Sequence, residues 1–209
     1  MSNASLSFIH RFEPGLGPGR PPILLLHGTG GDESDLLPIG QAIAPGSALL
    51  SPRGKVLENG MPRFFRRLAE GIFDEEDLIR RTHELAQFIN EAAAHYQFER
   101  QRLLAVGYSN GANIAGGLLL LRPDAICGAA LLRPMVPLIP ETLPDLHGAP
   151  VLVAAANQDP IVPAENAQQL VALLRSAGAD VTVSFENAGH GLTENTIDTA
   201  KRWFMERTK

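Results

Sequence analysis

Three residues of this chain have the types and the chain order that acyl transfer needs. Ser109 lies in Gly107-Tyr108-Ser109-Asn110-Gly111, Asp159 in Asn157-Gln158-Asp159-Pro160, and His190 in Ala188-Gly189-His190-Gly191. A serine hydroxyl is a weak nucleophile until an imidazole takes its proton. The imidazole does this in the correct tautomer when a carboxylate accepts from its far nitrogen. A Gly-x-Ser-x-Gly turn meets the remaining demand. It is tight enough to strain the serine backbone and lift the hydroxyl clear of what lies beneath. Gly107 and Gly111 are expected where the turn nearly touches a neighbouring strand or helix. His27 precedes the nucleophile and reads as a ring that braces its own loop.

The elements on either side must hold these residues in place. The apolar run 103–106 reads as a buried strand, and the small apolar run 112–121 as a helix. Strand, Gly-x-Ser-x-Gly and helix together form the nucleophile elbow of an α/β-hydrolase. Residues 23–26, 48–50, 126–132, 151–155 and 181–185 read as further strands, and 6–12 as an antiparallel edge strand. Helices are expected over 35–44, capped by Ser34 or Asp32, and over 74–96, 163–176 and 193–207. Strands that alternate with helices imply an α/β-hydrolase fold: a mostly parallel sheet with helices on both faces. Residues 53–70 read as irregular. Residues 133–150 carry Pro134, Pro137, Pro140, Pro144 and Pro150 and read as a wrapped loop, too short for a cap domain. Residues 1–5 read as a tag remnant or disordered start, and 6–209 as one α/β-hydrolase domain.

This arrangement selects among the candidates. In open α/β sheets, functional residues gather beyond the carboxyl ends of the strands. His190 follows the run 181–185, whereas His147 precedes the run 151–155 and belongs to the wrong end. Asp159 follows 151–155 directly. Asp145 and Glu141, in the preceding loop, are the reserve acids. An oxyanion hole needs two backbone N–H groups. Asn110, at the start of a helix, offers one. Thr29, in His27-Gly28-Thr29-Gly30-Gly31, offers the other, with Gly30 second. The same loop lacks both the Gly-Lys-Ser/Thr of a P-loop and the Gly-x-Gly-x-x-Gly spacing. Phe64, Phe65, Met135, Val136 and Ile161 are the apolar candidates for a substrate wall. Arg53, Lys55, Arg63, Arg66 and Arg67 cluster nearby and either answer the acidic start of the next helix, Asp74 to Asp77, or face the pocket.

Composition narrows the class. With 209 residues, 44% hydrophobic and 20% charged, the chain can bury one sizeable core. A net charge of −5 gives no reason to expect nucleic acid or an anionic membrane as partner. No apolar run approaches the roughly 20 residues of a membrane span. The start of the chain lacks the basic and apolar regions of a signal peptide, and the single Cys127 excludes an intrachain disulfide, so a cytoplasmic location is expected. Cys127 itself reads as an inert thiol in an apolar strand. No cofactor and no metal are expected. The expected partner is a small-molecule ester, and a homodimer is left open.

Leu26-His27-Gly28-Thr29-Gly30-Gly31-Asp32, the elbow through Asn113, Asp159-Pro160-Ile161-Val162-Pro163 and Gly189-His190 together resemble the phospholipase/carboxylesterase family of α/β-hydrolases. The elbow and the stretch from Glu58-Asn59-Gly60 to Arg67 resemble its bacterial branch linked to hydroquinone and catechol stress. The resemblance implies the same three residues, Ser109, Asp159 and His190, as a triad. It implies a serine carboxylesterase. The loop 133–150 is too short to shelter a long acyl tail, so small, short-acyl esters, acetate to butyrate, are the expected substrates. The alternatives are an acyl-protein thioesterase or lysophospholipase-like hydrolase, a cofactor-free perhydrolase, and a non-catalytic ligand-binding protein. The thioesterases usually carry Gln and Gly after the serine, where this chain has Asn110 and Gly111.

Overall fold

The computed structural model describes residues 6–17 and 19–207, so the expectation for residues 1–5 lies outside the described residues. In chain order the elements are β1 (His10–Glu13), β2 (Ile23–Leu26), α1 (Leu37–Ile43), β3 (Leu49–Pro52), β4 (Val56–Glu58), β5 (Met61–Arg63), β6 (Arg67–Ala69), β7 (Ile72–Phe73) and α2 (Glu75–Tyr96). They continue with β8 (Leu104–Tyr108), α3 (Asn110–Leu121), β9 (Gly128–Leu132), β10 (Pro150–Ala156), α4 (Ala164–Ser176), β11 (Asp180–Glu186) and α5 (Glu194–Arg207). Seven strands form one sheet in the order β1-β3-β2-β8-β9-β10-β11. Only β1 runs antiparallel to its neighbour, and the other pairings are parallel.

Both faces of this sheet are covered, which explains the uninterrupted apolar strands. Side chains alternate across the pleat. Leu24, Leu26, Ala105, Leu131, Val151 and Val153 pack with residues of α2, α3 and α4. Ile23, Leu25, Val106, Leu132, Leu152 and Ala154 pack on the other face with Leu37, Ile43, Ala200, Trp203 and Phe204 of α1 and α5. Helix α2 begins at the Asp74 cap, whose carboxylate accepts from Asp77 N–H at 3.0 Å. Glu75, Glu76 and Asp77 in its first turn complement the helix dipole.

The structure corrects three local expectations. Residues 53–70 are not irregular, because two small hairpins, β4–β5 and β6–β7, occupy the segment 56–73. Asn59 and Gly60 sit at φ 51° and 81°. Two central residues at positive φ define the tight turn whose twist matches a hairpin, and Asn-Gly is its strongest sequence signal. Helix α1 is shorter than expected and has no side-chain cap. Asp32 Oδ1 instead accepts from Ser34 N–H at 2.7 Å in the loop before it. Cys127 precedes β9 rather than lying within it. The thiol is half-buried beside a second cavity at the amino ends of the strands, and burial pushes its pKa up to about 11.

Candidate active site

Ser109 sits between β8 and α3 at φ 52° and ψ −114°, a conformation non-glycine residues rarely adopt and one that costs on the order of 1–3 kcal/mol. The surroundings impose it. Ser109 N–H donates to Leu132 O at the end of β9 (2.9 Å), and Ser109 O accepts from Asn113 N–H (3.0 Å). The flanking glycines are required sterically. A Cβ on Gly111 would lie 1.9 Å from Leu26 O, and one on Gly107 would lie 2.4 Å from Gly111 O. No side chain fits between β8, β2 and α3 at those points.

Three side chains meet above this turn. Ser109 Oγ lies 2.8 Å from His190 Nε2, and His190 Nδ1 lies 2.7 Å from Asp159 Oδ2. Asp159 follows β10 and His190 follows β11, both beyond carboxyl ends of the sheet. The Asp159 side chain is 1% exposed, and that of His190 is 16% exposed. Asp159 Oδ1 accepts from the N–H groups of Ile161 (2.8 Å) and Val162 (3.0 Å). That carboxylate is thus fixed on one oxygen by its own loop and on the other by the imidazole. The reserve acids lie elsewhere. Asp145 is exposed and pairs with His147 at 3.2 Å, and Glu141 is exposed.

Thr29, Ser109, Asn110 and His190 line one cavity of about 320 Å³. Asn110 opens α3, so its N–H belongs to the positive end of that helix. Gly30 N–H is engaged by Pro62 O at 2.9 Å, which removes the second choice for the other donor. His27 has both ring nitrogens engaged with backbone. Nδ1–H donates to Gly28 O (2.7 Å), and Nε2 accepts from Gly54 N–H (2.9 Å). The ring is buried, and desolvation lowers its pKa.

The expected substrate wall is only partly where the sequence suggested. Met135 and Ile161 line the cavity. Phe64 and Phe65 do not. Phe64 packs on His27 with ring centroids 4.7 Å apart, Phe65 packs on Phe73 at 5.1 Å, and both are buried in the core. Val136 is half-buried, lies outside the cavity lining and donates its N–H to Asn166 Oδ1 at 2.8 Å. The lining that sequence reasoning missed comes from Phe73, Tyr108, Asn113, Arg133 and Val162. The hairpin β6–β7 brings Glu70, Gly71 and Phe73 to the cavity. For Tyr108 and Asn113 the available signal was their place beside Ser109 in the elbow.

The basic cluster divides. Arg53 pairs with Glu33 (2.9 Å between Nη2 and Oε1), and Lys55 lies over the Phe8 ring at 4.0 Å. Arg66 points outward to Asp74 at 2.8 Å. Arg63 and Arg67 line the cavity and share Glu58 at 3.2 and 2.9 Å. Arg63 Nη1 also donates to Thr29 Oγ1 at 2.7 Å, which ties the hairpin to the loop after β2.

Glu186, at the end of β11, anchors the loop that carries His190. It pairs with Arg133 and accepts from Thr193 Oγ1 (2.8 Å), Asn195 Nδ2 (3.0 Å) and the Thr196 hydroxyl. Burial pushes its pKa up, but these donors outweigh burial and hold the carboxyl down to about 2 against an ordinary 4.5. A depressed folded-state pKa contributes stability that is fully present above the unfolded value and is lost as pH falls through the folded one. Glu186→Gln is therefore expected to flatten the dependence of unfolding free energy on pH between about 4.5 and 2. Denaturant titrations across that window measure it, and an unchanged slope would exclude Glu186 as the group responsible.

This architecture is that of an α/β-hydrolase, and the chain is an enzyme of the hydrolase class. Residues 61–203 match the model of the dienelactone hydrolase family, and the chain belongs to that family. It is similar to the Bacillus subtilis (strain 168) protein whose name reads "Putative hydrolase MhqD", with 52% identity over 88% of this chain and 92% of that one. The solved Bacillus cereus carboxylesterase is 50% identical and superposes with a TM-score of 0.94 over 97% of this chain and 95% of that one. The carboxylesterase of Mesorhizobium loti is 33% identical, with a TM-score of 0.87 over 96% and 95% of the two chains. No helix among the described residues is long and apolar enough to cross a membrane.

Proposed function

We propose that this protein is a serine carboxylesterase that hydrolyses small, short-acyl esters through Ser109, His190 and Asp159. The observation that carries the reading is the unbroken chain of contacts Ser109 Oγ–His190 Nε2 (2.8 Å) and His190 Nδ1–Asp159 Oδ2 (2.7 Å). It opens on a cavity of modest size. The Bacillus cereus and Mesorhizobium loti relatives, both named carboxylesterases, support the substrate class.

In this reading Ser109 Oγ attacks the ester carbonyl carbon while His190 Nε2 takes the hydroxyl proton. The backbone N–H groups of Thr29 and Asn110 receive the negative charge that develops on the carbonyl oxygen. Collapse of the tetrahedral intermediate breaks the bond to the alkoxy oxygen, and the imidazolium gives that oxygen its proton. The alcohol leaves. Water then attacks the acyl-enzyme, His190 takes its proton, and collapse returns that proton to Ser109 Oγ as the acid departs. Asp159 stays ionised throughout and favours the imidazolium.

The acyl preference follows from the walls. Pockets that bind drug-sized ligands span about 300–1,000 Å³, and this cavity, about 320 Å³, is at the small end. Residues 133–149 form no helix or strand that could shelter a long chain. A specificity constant that is highest for acetate to butyrate esters is expected, falling by about tenfold or more for octanoate, since a methylene is worth about 1–3 kcal/mol at an apolar pocket. A chain-length series of nitrophenyl esters measures it. A maximum at octanoate or longer would overturn the short-acyl reading and favour a lysophospholipase-like one.

A further inference from the structure

We propose that Arg133 is a positioning residue that clamps the His190 loop to the end of β9, so that one strand terminus sets both the nucleophile and the base. The inference rests on the triad reading above. It concerns a side chain whose donors are engaged by protein atoms rather than by the reacting ones.

The loop needs an outside restraint. Gly189 and Gly191 flank His190, and neither is forced by packing. A Cβ on Gly191 would meet nothing within 4 Å, and one on Gly189 only Gln158 O at 3.9 Å. Glycines that are not required sterically leave the backbone conformationally free. The restraint comes from two side chains. Arg133 Nε donates to Gly189 O at 3.2 Å and Nη2 to Gly191 O at 3.1 Å, one carbonyl on each side of the histidine. Tyr108 O–H donates to His190 O at 3.2 Å. Three consecutive carbonyls are thereby held.

The other end of the clamp is equally fixed. The Arg133 side chain is wholly buried, its Nη1 donates to Ala154 O at 3.2 Å, and its backbone N–H donates to the same oxygen at 2.8 Å. Nη2 also donates to Thr196 Oγ1 at 3.1 Å and pairs with Glu186, which neutralises the buried cation. Arg133 takes a left-handed φ of 56° immediately after β9, a conformation uncommon for its type. The residue before it, Leu132, accepts the Ser109 N–H at 2.9 Å. Adjacent residues at the carboxyl end of β9, Leu132 and Arg133, therefore hold the elbow and the histidine loop. A planar guanidinium can reach these divergent acceptors at once, and a lysine ammonium cannot.

The test compares Arg133→Met and Arg133→Lys with the wild type, with Ser109→Ala as control. A misplacement of about 1 Å in a catalytic group costs about 100-fold, so Arg133→Met is expected to lower kcat by about 10- to 100-fold with KM changed less than about threefold. The rate of fluorophosphonate labelling of Ser109 should fall in parallel, and Arg133→Lys should recover part of both. The proton that His190 Nδ1 shares with Asp159 gives a spectroscopic readout independent of turnover. Its far-downfield proton NMR resonance should broaden or vanish in Arg133→Met and persist in Ser109→Ala. A folded Arg133→Met enzyme with wild-type kcat and an intact resonance would overturn the proposal. If that variant does not fold, a folded Arg133→Lys enzyme with wild-type kcat and resonance overturns it equally. Full activity in Ser109→Ala would instead sink the triad reading, while the resonance still decides the clamp.

Discussion

Ser109→Ala is expected to reduce kcat for ester hydrolysis by about 10⁶, the loss seen when the nucleophile of a triad is removed. What remains is a residual acceleration of about 10³ to 10⁴ over water from the oxyanion donors and binding alone. The fold should be untouched. Ser109 holds its strained φ of 52° through backbone bonds to Leu132 and Asn113, neither of which involves the hydroxyl. Alanine has the same Cβ and bears the same backbone cost. Active-site titration with a fluorophosphonate and steady-state hydrolysis of a butyrate ester measure the effect, with thermal unfolding as the fold control. An alanine variant that keeps turnover within tenfold of wild type would mean another group is the nucleophile.

Asp159→Asn should cost about 10⁴ in kcat, the size of the penalty for the equivalent change in a serine-protease triad. The structure gives a reason specific to this site. Asp159 Oδ1 accepts from the N–H groups of Ile161 and Val162. An asparagine must keep its only carbonyl oxygen there, because its amide nitrogen cannot accept those two donors. Its NH₂ then faces His190 Nδ1, 2.7 Å away in the native enzyme, and forces that nitrogen to accept. The ring proton moves to Nε2, the atom that takes the proton from Ser109 in the proposed mechanism. The variant is therefore fixed in the wrong tautomer rather than merely weakened. Asp145→Asn, at an exposed carboxylate, should leave kcat within about twofold, as surface changes away from special features usually do. The reverse pattern would place the acid in the loop before β10.

The clamp and the acid stability of the fold meet in Glu186. The carboxylate that neutralises Arg133 also accepts from Thr193, Asn195 and Thr196 around the start of α5. Acidification through its pKa of about 2 removes the counter-charge from a wholly buried guanidinium. Loss of loop order and loss of global stability should then coincide in pH.

The sequence by itself determined the alternation of strands and helices, because that information is local. Apolar runs such as 23–26 and 151–155, too short for a helix and bounded by glycine or proline on at least one side, fit strands buried on both faces, and the acidic start of α2 is a first-turn signal. It also singled out Ser109, Asp159 and His190, since each lies next to a strand's carboxyl end and a turn residue. The hairpin β4–β5 has its signal in Asn59-Gly60, but its strands of 3 residues each are too short to show an alternating pattern. Only the tertiary structure decided which side chains face the cavity. Phe64 and Phe65 are apolar in either place, and their burial depends on His27 and Phe73, which come from other parts of the chain. Arg133 is the extreme case. An arginine beside a proline in a loop reads as solvent-exposed, because burying its charge is costly unless a partner neutralises it. That partner, Glu186, is brought up by β11, and no local pattern records a pairing between distant segments of one sheet.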